Sequence, residues 1–265
     1  MPSWLKEGRG SLCGANVSLL LREMGITKPL LVAGERTKNV FFARTGMRLP
    51  VFDAFHPNPD LQDCVAGAAL YQEKGCDGLI SIGGGSAMDT AKGIKALLMT
   101  DIAHVRANQL PPEGKVPHLA IPGTAGTGAE TTAVAVLYED GQKLSVDHPA
   151  LLPDGVLLDG SLLDTLPEYH RKSCAMDALA QGIESWWAKK ATPGSRIHAE
   201  RAIRGVLDNL TAYLQGDRKA QDEMLHAAYE SGVAILTTRT TAAHAMSYQI
   251  TKKLGAAHGH ACMLT

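Results

Sequence analysis

Two glycine-rich stretches, each following a short apolar run, have the residue types needed to bind a diphosphate. The first, Ile82–Lys92, reads IGGGSAMDTAK, and the second, Ile121–Glu130, reads IPGTAGTGAE. Gly83, Gly84 and Gly85 have no Cβ, so backbone N–H groups can approach phosphate oxygens there. The helix expected after them adds partial positive charge at its N-terminal end. The order strand, glycine turn, helix therefore predicts nucleotide binding.

Polar side chains within the two stretches support the same interpretation. Ser86 adds a hydroxyl donor, and Asp89 and Lys92 lie in the first turns of the expected helix, where they can orient a ribose, a nicotinamide amide or a water. Thr124 and Thr127 supply donors without bulk in the second stretch. A solvated helix face explains Lys92 equally well. A flexible linker explains the second set of glycines but not its threonines, so nucleotide binding is preferred.

A second group of residues has the types needed to bind a metal ion. Asp177 and Gln181 are four residues apart and project from one face of an expected helix as two oxygen donors. His244 and His258 would lie roughly 21 Å apart on one continuous helix, too far to share an ion. The chain must turn between them, and Gly255 can end the helix in the left-handed conformation. Spacing alone leaves ordinary structural roles for these side chains equally open.

The first 160 residues or so alternate helical and strand-like segments, which favours a parallel sheet covered by helices. The expected helices and strands are, in order, Ser18–Met24 (helix), Pro29–Ala33 (strand), Leu61–Lys74 (helix) and Leu79–Ile82 (strand).

From Pro167 onward the periodicity is helical and no strand pattern occurs. Helices are expected at Ser173–Lys189, Ser195–Leu214 and Lys219–Leu236, separated by the breaks Pro193-Gly194 and Gln215-Gly216. We therefore predict a Rossmann-like nucleotide-binding α/β domain at 1–162, an all-helical domain at 163–265 that carries the candidate metal ligands, and a cleft between them.

Composition indicates an ordinary globular protein with ample core. The 265 residues are 45% hydrophobic and 20% charged, and the formal net charge is −1, so neither nucleic acid nor a membrane is expected as a partner. The first ten residues lack a hydrophobic signal region and no apolar run is long enough to span a bilayer. A cytoplasmic location is expected.

The cysteines form no Cys-x-x-Cys pair, and their odd number fits reduced, buried thiols better than a disulfide or zinc framework. They are Cys13, Cys64, Cys76, Cys174 and Cys262.

In its motifs the chain resembles the iron-containing, or group III, alcohol dehydrogenases. The motifs occur in the expected order: Gly8-Arg-Gly-Ser, Asn58-Pro59, Gly-Gly-Gly-Ser-x-x-Asp-x-x-Lys, Gly-Thr-Gly-x-Glu, Met176-Asp-Ala-Leu and His258-Gly. In that family an α/β dinucleotide-binding domain precedes an all-helical domain, and an aspartate and three histidines hold one divalent metal. The resemblance implies a metal-containing, NAD(P)-dependent oxidoreductase.

The resemblance also implies a ligand set, with two departures. Asp177, His244 and His258 match three ligand positions, whereas Gln181 replaces a ligand histidine and Tyr248 replaces a further histidine. An amide oxygen is a harder and weaker ligand than imidazole, so Gln181 should favour Fe2+ or Mn2+ or lower the affinity generally. The implied cofactors are NAD or NADP and Fe2+, with Zn2+ or Mn2+ as alternatives. Activity without a metal is also conceivable.

The sequence around the implied ligands is similar to that of the phosphonoacetaldehyde reductase (2-hydroxyethylphosphonate dehydrogenase) branch. The similar segments are Asp177–Trp187 and Ala242–Tyr248. The expected substrate is then phosphonoacetaldehyde, in phosphonate metabolism, with other small alcohols, aldehydes or polyols as the alternative. A phosphonate needs a basic pocket, for which Arg239, Lys252 and Lys253 are candidates, although each taken alone fits a solvated surface charge. A small-molecule substrate is the expected partner, and a homodimer is compatible with the sequence.

The implied reaction transfers hydride from the nicotinamide to a carbonyl carbon whose oxygen is polarised by the metal. Protonation can run through a metal-bound water, Tyr248 or His260, and Tyr248 fits a packing role equally well.

After the first strand, many relatives carry an aspartate that binds the ribose hydroxyls. Here the segment reads Val32-Ala-Gly-Glu-Arg36, with Gly34 in that place. Tolerance of NADPH is expected, unless Glu35 supplies the carboxylate.

The sequence stops at Thr265, shortly after the last ligand motif, where the family continues through further helices. The helical domain is therefore expected to be truncated at its C-terminus. A fragment or pseudoenzyme that binds a nucleotide or a protein partner without turnover is the competing hypothesis.

Overall fold

The structure, a computed structural model, describes residues 6–112 and 116–265. Residues 1–5, on which the expectation about a signal region partly rests, lie outside the described residues. The chain divides into two compact units: Met1–Pro122 with Ala133–Leu158, and Gly123–Thr132 with Asp159–Thr265.

The first unit contains a parallel sheet and a separate hairpin. The strands within the described residues are β1 (Lys6–Arg9), β2 (Pro29–Ala33), β3 (Val51–Phe52), β4 (Gly78–Gly83), β5 (His118–Pro122), β6 (Val134–Glu139), β7 (Gln142–Asp147) and β8 (Gly155–Leu158). The sheet order is β1-β8-β5-β4-β2-β3, and every pairing in it is parallel. Strands β2, β4, β5 and β8 are buried along their whole length, as expected for a parallel sheet covered on both faces.

Helices lie between the strands of this unit. They are α1 (Gly14–Glu23), α2 (Glu35–Thr45), α3 (Leu61–Lys74), α4 (Gly85–Met99) and α5 (Ile102–Arg106). Helix α3 shows why the chain folds locally in this way: Asp60 accepts a hydrogen bond from the Gln62 N–H, Asp63 completes a capping box, and Gly75 ends the helix at φ 59°. The predicted α/β architecture is confirmed.

A hairpin in this unit was not predicted as such. Strands β6 and β7 pair in antiparallel register across a two-residue turn, Asp140-Gly141. Both turn residues have positive φ, 50° and 70°, which is the conformation that Asp-Gly turns favour. The signal was therefore present in the sequence.

The second unit is helical within the described residues. Its helices are α6 (Glu168–Trp187), α7 (Pro193–Leu214), α8 (Arg218–Thr238), α9 (Ala242–Leu254) and α10 (His258–Met263). Short 3-10 turns occur in this unit at Ala129–Thr131 and Gly160–Leu163. A third 3-10 turn, Pro149–Leu151, belongs to the first unit. Helix α7 begins at Pro193 rather than Ser195, because proline is tolerated in the first turn after the Thr192 cap. The predicted end of α9 at Gly255 is confirmed, with φ 68°.

The second glycine-rich stretch belongs to this helical unit, although the sequence placed it in the α/β domain. A Cβ on Gly126 would lie 2.9 Å from the Cα of Cys174, and a Cβ on Gly128 would lie 2.6 Å from the Cα of Gly232. Thr131 donates a hydrogen bond to the Tyr229 carbonyl at 3.3 Å. These glycines therefore allow residues 123–132 to pack closely against α6 and α8.

We predict that Gly128→Ala destabilises the helical unit more than Gly216→Ala does. Both glycines have positive φ, 58° and 85°, so both substitutions cost about 1 kcal/mol of backbone strain. A Cβ on Gly216 meets nothing within 4 Å, whereas one on Gly128 overlaps Gly232 backbone and adds about 1–3 kcal/mol of overpacking. Urea unfolding followed by circular dichroism measures the difference, and equal midpoints for the two variants would contradict the close packing.

Candidate functional site

The turn between β4 and α4 leaves backbone N–H groups available for a ligand. Gly83 has φ 147°, and a Cβ there would lie 3.1 Å from the Ala87 Cβ, so the turn is tight. Gly84 is the N-cap residue of α4, and no side chain caps the helix. The first N–H groups of α4 therefore combine unsatisfied donors with the positive end of the helix dipole, which suits an anion.

A groove lies at this turn, within the first unit. Strands β2 and β4 are neighbours, but the chain after β2 leads to the edge strand β3 while the chain after β4 leads to β5 on the other side. Such a reversal of strand order leaves a crevice at the carboxyl ends of the strands, where α/β proteins bind ligands. The groove has a volume of about 340 Å3, at the lower end of small-molecule sites. It is lined by Gly34, Glu35, Arg36, Thr37, Phe55 and Ile82–Ala87.

The residues after β2 shape one wall of this groove. Gly34 is the N-cap of α2, and Glu35 and Arg36 follow it with exposed side chains. Lys38 donates to the Glu35 carboxylate at 2.7 Å and to Asp53 at 2.6 Å. The hydrogen bonds from Lys38 and Asn39 lower the pKa of Glu35, so it carries a negative charge beside the Arg36 cation.

Ser86 is among the lining residues, whereas Asp89 and Lys92 are not. Burial raises the pKa of Asp89 to about 6, against the opposing effects of Lys92 and a hydrogen bond from the Val136 N–H. Lys92 is 0% exposed and donates to the Val134 carbonyl at 2.9 Å. The interpretation of Lys92 as part of a solvated helix face is therefore wrong. The side chains of Asp89 and Lys92 both contact β6 and so join α4 to that strand.

Thr124 and Thr127 lie in the stretch that packs with the helical unit. Thr124 is half-buried, and the Thr127 hydroxyl accepts a hydrogen bond from the Ala129 N–H at 3.3 Å. The Thr127 carbonyl accepts from the Gln181 amide at 3.2 Å. The structure therefore gives this stretch a packing role that the sequence interpretation had not included.

Three of the predicted metal ligands lie together in the helical unit. Asp177 on α6, His244 on α9 and His258 on α10 form a group with Cys262, and their ligand atoms all lie within 4.8 Å of one another. Asp177 Oδ1 lies 3.1 Å from His244 Nε2 and 3.9 Å from His258 Nε2. Because Gly255 ends α9, the chain turns and the two histidine rings lie 5.3 Å apart.

A buried glutamate orients His244. Glu184 is 1% exposed and lies two turns after Asp177 on α6. One of its oxygens accepts from His244 Nδ1 at 2.5 Å, and the other accepts from the Thr241 hydroxyl and the Ala243 N–H, both at 2.8 Å. Burial raises the pKa of Glu184, but the hydrogen bonds from His244 and Thr241 outweigh it and bring the pKa to about 2. The carboxylate is thus ionised and directs His244 Nε2 toward Asp177.

The same contacts determine the charge of His244. Burial lowers its pKa, but hydrogen bonds with Asp177, Cys262 and Glu184 outweigh the effect and raise the pKa to about 12. Without an ion, His244 is therefore an imidazolium between two carboxylates. A divalent ion held by Asp177, His244 and His258 would supply that positive charge in place of the Nε2 proton.

Gln181 lies next to these residues with its amide engaged. Its Oε1 accepts from the Ser231 hydroxyl at 2.7 Å, and its Nε2 donates to the Thr127 carbonyl at 3.2 Å and faces Asp177 Oδ1 at 3.5 Å. The atom that faces the cluster is the nitrogen, which is not a metal ligand. Metal binding through Gln181 requires half a turn of the amide and loss of the hydrogen bond to the Thr127 carbonyl.

Cys262 was missed as a site residue, because the sequence treated all the cysteines as scattered buried thiols. All are free thiols; Cys64 and Cys262 are buried and the others are half-buried. Burial raises the pKa of the Cys262 thiol, but hydrogen bonds with His244 and His258 outweigh it and lower the pKa to about 7. The available signal was its position four residues after His258, on the same helix face.

The proton-donor candidates lie near His258. The Tyr248 ring stacks on the His258 ring, with centroids 5.5 Å apart. His260 is exposed, and its Nδ1 lies 3.0 Å from the Tyr169 hydroxyl. Ser247 lies 3.3 Å from His258 Nδ1.

The cation candidates differ in their placement. Arg239 is half-buried immediately after α8, with φ 62°, and donates to the Leu236 carbonyl at 3.4 Å. Lys252 and Lys253 are exposed in the last turn of α9. They are eight and nine residues from His244, which is about 12 Å along a helix.

The clustered donors fit a divalent ion. A carboxylate, two imidazoles and a thiol are the usual ligands of zinc and related metals, and Glu184 supplies the carboxylate that commonly orients a ligand histidine.

None of the helices within the described residues is long and apolar enough to cross a membrane.

Comparisons with known proteins identify relatives of this chain. Probable alcohol dehydrogenase EutG of Salmonella typhimurium is 32% identical over 254 residues, covering 92% of this chain and 62% of that protein. Phosphonoacetaldehyde reductase of Streptomyces viridochromogenes is 35% identical over 226 residues, covering 79% of this chain and 57% of that protein. The chain thus spans about three fifths of the length of these curated relatives.

The crystal structure of sulfoacetaldehyde reductase from Bifidobacterium kashiwanohense in complex with NAD+ matches with a TM-score of 0.90 and 29% identity, covering 100% of this chain and 73% of that one. The model of the iron-containing alcohol dehydrogenases matches residues 2–160, and that of the C-terminal part of the Fe-containing alcohol dehydrogenase family matches residues 172–265. Because these two matches cover most of the sequence, the chain belongs to the iron-containing alcohol dehydrogenase family.

Proposed function

We propose that the protein is a metal-dependent oxidoreductase that reduces a small aldehyde to a primary alcohol with NADH or NADPH. Phosphonoacetaldehyde is the proposed substrate and 2-hydroxyethylphosphonate the product. The observation that carries the proposal is the group of four ligand atoms within 4.8 Å, formed around Asp177. The names of relatives, a phosphonoacetaldehyde reductase and a sulfoacetaldehyde reductase with NAD+, support the reaction class.

In this proposal the groove at the start of α4 binds the cofactor's diphosphate. The N–H groups after Gly84 and the Ser86 hydroxyl act as donors, and the helix dipole favours the negative charge. Glu35 and Arg36 line the same groove, so their charges determine whether a cofactor with a 2′-phosphate binds there. The lack of a carboxylate at Gly34 supports use of NADPH as well as NADH.

Asp177, His244 and His258 are the proposed protein ligands of Fe2+ or a similar ion. When bound, the ion supplies a Lewis acid for the aldehyde oxygen and the nicotinamide supplies the hydride. Glu184 keeps His244 in the orientation that presents Nε2 to the ion. The buried surroundings of Asp177 and His244, each 3% exposed, exclude water from this side of the site.

Tyr248 is the proposed proton donor. Its ring stacks on His258, so it stays beside the ligand group, whereas His260 Nδ1 is engaged with the Tyr169 hydroxyl.

For binding of the phosphonate group, Arg239 is favoured over the α9 lysines. It lies near Thr241, which contacts Glu184, whereas the lysines lie about 12 Å along α9 from His244. A cytoplasmic location and a homodimer remain predictions.

The proposal is tested by following NADH and NADPH oxidation with phosphonoacetaldehyde, sulfoacetaldehyde and lactaldehyde, each with Fe2+, Zn2+, Mn2+ or a chelator. We expect turnover that requires a metal and is fastest with phosphonoacetaldehyde. A preference for one of the other aldehydes would assign the substrate differently. Cofactor binding without turnover under every metal would contradict the proposed activity and favour a nucleotide-binding protein.

We predict that Glu184→Gln weakens metal binding without unfolding the protein. The neutral amide would add no negative charge to the imidazole and has one acceptor oxygen where the carboxylate uses two, and loss of such an outer partner typically costs about 10–100-fold in metal affinity. Competition with a fluorescent chelator measures the affinity. Glu200→Gln, at a carboxylate of α7 whose side chain is 46% exposed, is the control and should bind metal as the unmodified protein does.

We predict that Arg36→Ala weakens NADPH binding but not NADH binding. A guanidinium near the ribose interacts with a 2′-phosphate that NADH lacks, so the dissociation constant for NADPH should rise about tenfold, equivalent to about 1.4 kcal/mol. Arg44→Ala, at an exposed position of the same helix outside the groove, is the matched control. Nicotinamide fluorescence titrations measure both constants. An equal loss for both cofactors would argue against a 2′-phosphate contact.

A further inference from the structure

Helix α10 packs against α6 as closely as its backbone allows. A Cβ on Gly259 would lie 1.9 Å from the Ser173 carbonyl oxygen and 2.8 Å from the Asp177 Cβ. The His260 N–H donates to the Ser173 hydroxyl at 3.1 Å, and Ala261 is completely buried. The side chains on this face of α10 are therefore fixed beside the Asp177 carboxylate.

Two side chains share that face. His258 and Cys262 are four residues apart, and His258 Nε2 lies 3.9 Å from Cys262 Sγ. Cys262 is 3% exposed, and its sulfur belongs to the group of ligand atoms that lie within 4.8 Å of one another. The thiol is thus a member of the cluster by geometry.

The spacing of these atoms is close to that of a tetrahedral metal site. Ligand bonds of about 2.0–2.3 Å place the ligand atoms of such a site about 3.3–3.8 Å apart. The distances here are 3.1 Å from Asp177 to His244, 3.9 Å from Asp177 to His258, and 3.9 Å from His258 to Cys262. Shifts of a few tenths of an ångström would bring these three edges into that range, and the other three edges are no longer than 4.8 Å.

Gln181, the other candidate for the fourth ligand, already uses its amide in hydrogen bonds. Gln181 Oε1 accepts from Ser231, and Gln181 Nε2 donates to the Thr127 carbonyl. Rotating the amide to present its oxygen would lose the hydrogen bond to the Thr127 carbonyl and place two acceptor oxygens against each other there. Cys262 needs no such rearrangement.

We propose that the Cys262 thiolate is the fourth ligand of the metal site, and that the site consequently binds Zn2+ or Co2+ in preference to Fe2+ or Mn2+. The inference rests on the proposed function, because it assumes an ion at Asp177, His244 and His258. The thiol proton passes to the solvent when the sulfur binds the ion. A soft sulfur ligand reverses the preference for hard ions expected from Gln181.

The test is X-ray absorption at the zinc edge of the purified, Zn2+-loaded protein. We expect one sulfur at about 2.3 Å together with nitrogen and oxygen ligands. Cys262→Ser should lose the sulfur shell, and Cys174→Ser, which removes a half-buried thiol of α6 outside the cluster, should keep it. The Co2+-loaded protein should show a thiolate-to-metal charge-transfer band with the same dependence on the two variants.

The affinities provide a second measurement. Since loss of an outer partner typically costs about 10–100-fold in metal affinity, loss of a ligand should weaken Zn2+ binding by at least about tenfold. Mn2+ binding should change less in Cys262→Ser, because a hard ion gains little from sulfur. An equal change for both ions would overturn the proposed preference.

The outcomes separate this inference from the proposed function. Zinc bound by nitrogen and oxygen alone in the unmodified protein would overturn the role of Cys262 and leave a metal site at the other three residues. A sulfur shell lost in Cys174→Ser would also overturn it. Failure of the unmodified protein to bind any of these metals would overturn the proposed metal-dependent function as well. The spectrum of the unmodified protein decides the ligand question even if Cys262→Ser does not fold.

Discussion

The candidate site depends on two buried carboxylates of one helix that share a single imidazole. Asp177 and Glu184 are 3% and 1% exposed, and both contact His244. Buried charges are costly unless a partner of opposite sign compensates them. Protonated His244 supplies that partner here, and an ion held by these side chains would supply it instead. The arrangement of these side chains is therefore determined by electrostatics, and the same arrangement would suit a cation.

Glycine has two different roles in the two stretches that first indicated nucleotide binding. At Gly83 and Gly84 it shapes a turn whose N–H groups face a groove, so the functional interpretation agrees with the geometry. At Gly126 and Gly128 it removes side-chain volume where the backbone packs against helices. Gly259 acts in the same way beneath the ligand group, where any side chain would separate α10 from Asp177. Close backbone packing thus brings Asp177, His258 and Cys262 together.

Features that depend on local spacing could be predicted from the sequence, and features that depend on tertiary neighbours could not. Strand β2, helix α3 and the turn at Gly255 follow from periodicity and capping, and the structure has them as predicted. The resemblance to a family indicated three members of the cluster. Nothing local showed that Lys92 is buried against β6 or that Cys262 lies beside Asp177 and His244, because both depend on how helices pack.

The segment 123–132 also affects the order in which the chain can fold. Thr131 donates its hydrogen bond to a residue 98 positions later, so its packing cannot be completed until α8 has been synthesised. The pairings of β2, β3 and β4 need only the first 83 residues and can form much earlier. Contacts of long sequence separation slow folding because a large loop must close first. This glycine-rich segment is therefore synthesised well before the helix that it packs against, and its contacts are expected to form late.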